Sequence, residues 1–321
     1  MDFIMKIKMP KIKKTVWLKI TLLVAALAVV AILLRLSSDT LHLLRYDPSL
    51  STPQKFAMLK KWLPENVDLI AISDTHRLAA IPQLKNFLED GLFKGDDTAI
   101  KTIRSLLGPQ TKIGMIAMSA VLGDTGMPIS FFVIVQGDFR EVNFVDVIKQ
   151  ELEKENVSLA SQAIGGVAIY SQGGSEAPFA FAIPDRNHLI VGTKISMQQL
   201  FEKPSSKDRT FPFVTVDSPF FGFLKSSDRI KKVLPPQFVP LELANFWADD
   251  QRWLHISIDC SDIEQAQNLR MFLSGMKALY MLQGESNQAM LEALGTVLIG
   301  GDQNRVLVDA PLEGLPAIFA E

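Results

Sequence analysis

The residues best suited to chemistry in this chain form the run Ser73-Asp74-Thr75-His76, which directly follows an apolar segment of strand length. A carboxylate and an imidazole two positions apart can act as acid–base groups or as metal ligands. The later histidines His188 and His255 could join them only if the fold brought them close. The sole cysteine, Cys260, ends another apolar run, and we expect it to be a small core residue rather than a nucleophile.

An Asp-x-His pair at the end of a strand, here Asp74 and His76, resembles the first metal-binding motif of calcineurin-like metallophosphoesterases. The resemblance covers about eight residues. It implies that Asp74 and His76 would help to hold two metal ions that clamp a phosphate ester. The later motifs of that family are mostly missing, because Gly137-Asp138 comes about 60 residues on and His188 follows Arg186-Asn187 instead of Gly-Asn. The ligand set implied by the resemblance is Asp74, His76, Asp138 and His188.

The alternative to a metal centre is structural. Asp74 and Thr75 would then end a strand and cap the next turn, with His76 at the surface. The sequence also has no Gly-rich phosphate loop, Cys-x-x-Cys pair, His-Glu-x-x-His or Gly-x-Ser-x-Gly motif. We therefore predict a protein that is not an enzyme and that uses no cofactor and no resident metal.

A long apolar stretch lies near the start of the chain. Residues 16–34 carry a single charge and match the roughly 20 residues that a helix needs to cross about 30 Å of hydrocarbon. They predict one transmembrane helix at 15–35, with the lipid bilayer as a partner. A signal peptide cleaved after Ala26-Leu27-Ala28 is the alternative. The predicted anchor residues are Trp17, Lys19, Leu22 and Leu34.

Basic residues set the predicted orientation of this stretch. Residues 1–35 carry a net charge of +6 in a chain of net charge −2, so the remaining residues carry −8. Because basic flanks stay on the cytoplasmic side, we predict a single-pass protein of a bacterial inner membrane with a cytoplasmic N-terminus and a periplasmic body. The acidic body argues against a nucleic-acid partner, since phosphate binding needs clustered Lys and Arg.

The predicted fold class is α+β, with one N-terminal transmembrane helix followed by an exported two-lobed body of mainly antiparallel sheets covered by helices. Turn signals and linker composition divide the chain. The predicted divisions are a basic tail at 1–14, the membrane helix at 15–35, a juxtamembrane stalk with a short helix at 36–65, a first lobe at 66–204 and a second lobe at 205–321.

Apolar runs and caps predict the elements of the two lobes. The first lobe should hold strands at 67–73, 112–120, 130–136, 167–170, 178–183 and 189–192, with helices at 82–89, 97–107, 141–155 and 196–202. The second lobe should hold a strand at 253–259, a long helix opened by a capping box from Ser261 to Glu264, a hairpin at 296–299 and 305–308, and a C-terminal helix. Similar strand-then-helix runs in the two lobes leave a diverged duplication open.

A segment rich in Phe and Pro, residues 211–224, opens the second lobe. Its rings are too dense to alternate cleanly in a half-exposed strand, so the segment either plugs the cleft between the lobes or is exposed for a partner or an apolar ligand. The candidate binding residues are Phe211, Phe213, Phe220, Phe221 and Phe223.

Three functions remain open from the sequence. The first is a membrane-anchored periplasmic interaction or assembly protein without catalysis, an accessory subunit of an envelope complex with a membrane or periplasmic protein partner. The second is an exported domain that binds a lipid or another apolar ligand between the lobes. The third is a degenerate metallophosphoesterase-like domain.

Overall fold

The computed structural model describes residues 50–81, 112–125, 128–139, 144–154, 158–172, 179–202, 210–232, 234, 236–283 and 288–312. The strands in these ranges are β1 (Leu69–Asp74), β2 (Lys112–Leu122), β3 (Pro128–Asp138), β4 (Leu159–Ile164), β5 (Val167–Gln172), β6 (Phe179–Asp185), β7 (His188–Thr193), β8 (Phe220–Lys225), β9 (Leu241–Ala248), β10 (Trp253–Cys260), β11 (Leu298–Gly300) and β12 (Arg305–Pro311).

The helices of the described ranges are α1 (Thr52–Lys60), α2 (Thr75–Ala79), α3 (Phe144–Lys154), α4 (Lys194–Glu202), α5 (Asp228–Lys231), α6 (Ile263–Gln283) and α7 (Gln288–Thr296), with one 3-10 turn at Pro236–Phe238. They confirm the predicted short helix within 36–65, the predicted helices at 141–155 and 196–202 and the long helix predicted after Ser261. The predicted helices at 82–89 and 97–107 and at the C-terminus lie outside the described residues.

The strands of the described ranges join into one antiparallel sheet of twelve, in the order β11-β12-β10-β9-β8-β1-β2-β3-β7-β6-β5-β4. At its centre β1 pairs with β8, and Ala71 lies opposite Gly222. The predicted fold class, two lobes with separate sheets behind a membrane helix, is therefore wrong. Its error has a physical cause: β8 lies in the Phe-rich segment, which lacks the alternation of a half-exposed strand, yet it supplies the edge that β1 needs.

The predicted membrane helix is also corrected. Within the described ranges, no helix combines the length and the apolarity needed to cross a bilayer. The longest of these helices, α6, has 21 residues, but it carries charged side chains and packs on the sheet. The predicted single-pass topology and the predicted inner-membrane and periplasmic location are therefore wrong, while the bilayer as a partner stays a prediction. The stretch at 15–35, with Trp17, Lys19, Leu22 and Leu34, lies outside the described residues.

Connectivity repeats in the two halves of the sheet. Each half begins with a three-stranded meander, β1 to β3 and β8 to β10, followed by a long connection that contains α3 or α6. In each half the last strand then returns beside the third strand, β7 beside β3 and β12 beside β10. The repeated connectivity agrees with the duplication that the sequence left open, while the domain limits 66–204 and 205–321 stay predictions.

One side of the sheet, face A, carries Ile70, Ile72 and Asp74 of β1. Helices α1 and α4 cover this face over the first half, because Phe56 and Leu59 of one and Met197 and Phe201 of the other pack into its core. The run Ser51-Thr52-Pro53 predicts a cap and a first-turn proline for the first of these helices, and the cap is present, since the Ser51 amide donates to Gln54 Oε1 at 2.8 Å. Face A therefore places α1 directly above the end of β1.

The opposite side, face B, carries Ala71 and Ser73 of β1. Helix α3 packs on it over the first half, where Val145 and Ile148 meet strands β2 and β3. Helix α6 packs on the same face over the second half through Ala266 and Leu269. Asp262 caps α6, its Oδ1 accepting from the amide of Gln265 at 2.8 Å, so the predicted capping box is wrong by one residue.

Candidate functional site

The sequence motif at the end of β1 is built into the structure of the core. Asp74 is fully buried, and its Oδ2 accepts hydrogen bonds from Lys55 Nζ and Thr52 Oγ1, each at 2.8 Å. Its Oδ1 accepts hydrogen bonds from the backbone amides of His76, at 3.1 Å, and Arg77, at 3.4 Å. These two bonds make Asp74 the N-cap of α2. Both carboxylate oxygens are thus engaged by the protein itself, and Asp74 ends a strand and caps the next helix.

The other residues of the motif also have structural positions. Thr75 is buried and its hydroxyl donates to the carbonyl oxygens of Ile113, at 2.8 Å, and Gly114, at 3.2 Å. His76 is exposed. The structure agrees with the alternative in which this run closes a strand and starts a turn.

Arg77 connects the motif to the second half of the sheet. Its guanidinium donates to Asp217 at 2.7 Å and to both carboxylate oxygens of Asp250 at 2.6 and 2.7 Å. Burial alone would lower the pKa of Arg77, but these two carboxylates raise it, so the side chain stays charged. Asp217 precedes β8 and Asp250 lies in the turn between β9 and β10, so Arg77 ties α2 to the second half.

The four residues implied by the metallophosphoesterase resemblance do not assemble into a metal centre in the described ranges. No group of three or more His, Cys, Asp or Glu side chains in these ranges is placed to hold a metal ion. Asp74 is committed to Lys55, His76 points to solvent, and His188 pairs with Asp185. Asp138 ends β3. In the described ranges the motif closes a strand and caps a helix.

His188 belongs to a buried polar group that the sequence did not reveal. Its Nδ1 lies 2.7 Å from Asp185 Oδ1, and Asp185 also accepts from Lys61 Nζ at 3.1 Å. Burial would raise the pKa of Asp185, but the His188 hydrogen bond and charge bring it well below its usual range. In the described ranges the Nε2 of His188, the Nε1 of Trp62 and the Oε1 of Gln136 are buried without a hydrogen-bond partner.

A second histidine lies between two carboxylates on face A of the second half. His255 Nδ1 is 2.7 Å from Asp309 and its Nε2 is 3.1 Å from Asp249, while Trp247 stacks on the ring at 5.1 Å. Burial lowers the pKa of His255, but the two carboxylates outweigh burial and raise it. The His255 side chain thus joins β10, β12 and the turn after β9.

The phenylalanines of the Pro-rich segment pack mainly against one another. Phe221 and Phe223 are buried in the core of face A, and Phe213 meets both rings at 5.2 and 5.4 Å. Phe211 lies 5.7 Å from Phe213, and Phe220 stacks on Phe246 at 5.4 Å on the opposite face. Their own rings fill this cluster, so the segment serves as core and seam between the two halves.

Cys260 lies where the sequence placed it. It is fully buried in the face B core of the second half with Ala266 and Leu269. Burial raises the pKa of its thiol, which disfavours the reactive thiolate.

The C-terminal half of α6 presents apolar side chains to solvent. Met271 is 66% and Leu282 75% exposed. The outward row of the helix begins polar and turns apolar after two turns: Glu264, Asn268, Met271, Gly275, Ala278 and Leu282. A surface helix ordinarily keeps polar residues on this side. We call the exposed residues of this half other than Ser274 the distal surface: Met271, Gly275, Ala278, Leu279, Tyr280, Met281 and Leu282.

The side of α6 that faces the sheet also becomes exposed to solvent near the end of the helix. The row of α6 that faces the sheet is buried at Ala266 and Leu269, but Tyr280 at its end is 46% exposed. Reasoning from the sequence did not identify the outward row. The same four- and three-residue spacing would have revealed it, because four successive positions from Met271 are free of charge.

Compared with protein-family models, with curated proteins and with solved structures, the chain matches none.

Proposed function

We propose that this protein is a non-catalytic interaction module that binds a protein partner through the distal surface. The observation that carries the proposal is the apolar outward row of α6, with Met271 and Leu282 largely in solvent. Such a surface costs free energy in water unless a partner covers it.

The size of the distal surface supports this reading. At their observed exposure its side chains leave roughly 400 Å² of apolar area in water, within the range in which a patch on a monomer marks an interaction site. Isolated exposed apolar residues are common on proteins, but these residues lie within twelve positions of one helix. Fixed helical geometry also makes them a preformed binding surface, which lowers the entropy cost of association.

Other features point away from chemistry as the main role. Asp74, the best candidate acid–base group, has both oxygens hydrogen-bonded within the core. Asp185 and His188 hold each other at 2.7 Å beneath the end of α1. These contacts support a structural use of the side chains that the sequence singled out.

A site-specific photo-crosslink tests the proposal. A benzoylphenylalanine in place of Leu282 should give, on irradiation of the cells that make the protein, a covalent adduct of defined mass. The matched control is the same crosslinker in place of Gln267, which is exposed on the same helix but outside the distal surface.

An adduct at position 282 with a weaker one at 267 is the expected result, whether the captured protein is a second copy or a different chain. Equal yields at both positions, or none at 282, would refute a binding role for the distal surface. Far-UV circular dichroism and the urea midpoint establish that both variants are folded.

A further inference from the structure

We propose that the partner of the distal surface is a second copy of this chain, packed as an antiparallel helix pair about a two-fold axis between Met276 and Lys277 of α6. This inference rests on the proposed function and identifies its partner. In a two-fold interface, if residue i of one subunit meets residue j of the other, then j of the first must also meet i of the second. The outward row of α6 satisfies this condition.

Large and small side chains are arranged symmetrically along the outward row, on either side of the proposed axis. Met271 and Leu282 lie at its ends, and Gly275 and Ala278 lie between them at equal distances from the axis. An antiparallel pair would therefore place Met271 against Leu282 twice and Gly275 against Ala278 twice. Small residues at the crossing allow the helix axes to approach to about 8 Å, and the large ones fill the space on either side. A Cβ at Gly275 meets no atom of its own chain within 4 Å.

The charges around the row also suit a second copy. Like charges that meet across a two-fold axis repel, so a symmetric contact needs a stripe without them. The two cationic side chains of this half are turned to their own chain: Arg270 donates to the carbonyl oxygen of Gly301 at 2.8 Å, and Lys277 donates to that of Val297 at 2.6 Å. The four outward residues from Met271 to Leu282 are uncharged.

The area available predicts a weak dimer. The row from Met271 to Leu282 spans 11 residue steps, or about 17 Å of helix. Two distal surfaces expose roughly 800 Å² of apolar area together, and a helix pair along the outward row covers only part of it, so the interface amounts to at most about 1,200 Å² in total with the polar rim. This lies at the lower end of specific interfaces, so we expect association in the micromolar range.

Sedimentation of the full-length protein tests the inference. We expect a monomer–dimer equilibrium at tens of micromolar, and Met271→Asp should weaken it by at least about tenfold because it places a charge in the contact twice. The matched control is Gln267→Asp, which adds the same charge to the same helix more than two turns before the centre of the row. Urea midpoints of both variants should equal the wild-type value, since both positions are exposed.

Disulfide trapping tests the register. Cys260 is buried, so a cysteine introduced on α6 would be the reactive one. A mixture of Gly275→Cys and Ala278→Cys chains should oxidise to a mixed disulfide dimer faster than either variant alone, because the antiparallel register places 275 opposite 278 and offsets each residue from its own copy.

A monomer at about 100 µM, or a dimer that Met271→Asp leaves intact, would overturn the inference, because micromolar association is what the area predicts. If a monomer still gives an adduct with a different protein at position 282, the proposed function stands and only the identity of the partner falls. If there is neither a dimer nor an adduct, both fail.

Discussion

The buried ion pair between Lys55 and Asp74 yields the sharpest prediction. The two side chains are 4% and 0% exposed, and their charged atoms lie 2.8 Å apart. Asp74→Asn keeps the size of the side chain and its capping oxygen but leaves the Lys55 ammonium buried without a counter-ion. Removing one partner of a buried pair costs about 3–5 kcal/mol. At 2–4 °C per kcal/mol, a loss of about 4 kcal/mol lowers the Tm by roughly 8–16 °C.

Urea unfolding at pH 7, followed by tryptophan fluorescence, measures the full double-mutant cycle. Lys55→Met should cost less, on the order of 2 kcal/mol, because Asp74 keeps the Thr52 hydroxyl and two amides as donors. The variant Lys55→Met/Asp74→Asn buries no net charge and should come within about 1 kcal/mol of the wild type. The losses in the free energy of unfolding of the two single variants should therefore be strongly non-additive in the double variant.

An exposed pair provides the control. Lys149 and Glu153 lie 3.9 Å apart with more than half of each side chain in solvent, and Glu153→Gln should cost less than about 0.5 kcal/mol. The reasoning is refuted if Asp74→Asn loses less than about 1 kcal/mol, or if the double variant loses as much as the two single variants together.

Two further predictions concern stability. The carboxylates of Asp249 and Asp309 raise the pKa of His255 above about 6.5, so their stabilising effect is complete below that pH and fades as the pH rises through the folded-state pKa. The difference in urea midpoint between wild type and His255→Gln should therefore shrink between pH 6 and pH 9, and a constant difference would contradict this. At the central seam, Gly222→Ala should cost at least about 1–3 kcal/mol, because its Cβ would clash with the carbonyl oxygen of Ile70 and the ring of Phe246. The same change at Gly295, in α7 with open space around it, should be neutral or stabilising by up to about 1 kcal/mol, and equal losses in thermal unfolding at the two glycines would disprove the clash.

Much of the local structure follows from the sequence. The Ser51 cap, the strand before Asp74 and the hairpin around Gly301 were predictable, because caps, turns and apolar periodicity act over three or four residues. The strand β4 was missed because its side chains are mostly exposed and give no apolar run. The strand β8 was missed for the opposite reason, since its dense phenylalanines hide the alternation.

The site divides in the same way. The sequence by itself determined that Asp74 ends a strand and precedes a turn, and it left open whether that carboxylate binds a metal or caps a helix. The tertiary structure shows the cap, and it places Lys55 and Thr52 of α1 against the same carboxylate.

Strand order was also decided by the tertiary structure. The pairing of β1 with β8 joins residues about 150 positions apart, and it turns two expected sheets into one. The apolar pattern of a strand states which faces are buried but not which strand lies beside it, because the hydrogen bonds of a sheet are made by backbone groups that are the same in nearly every residue.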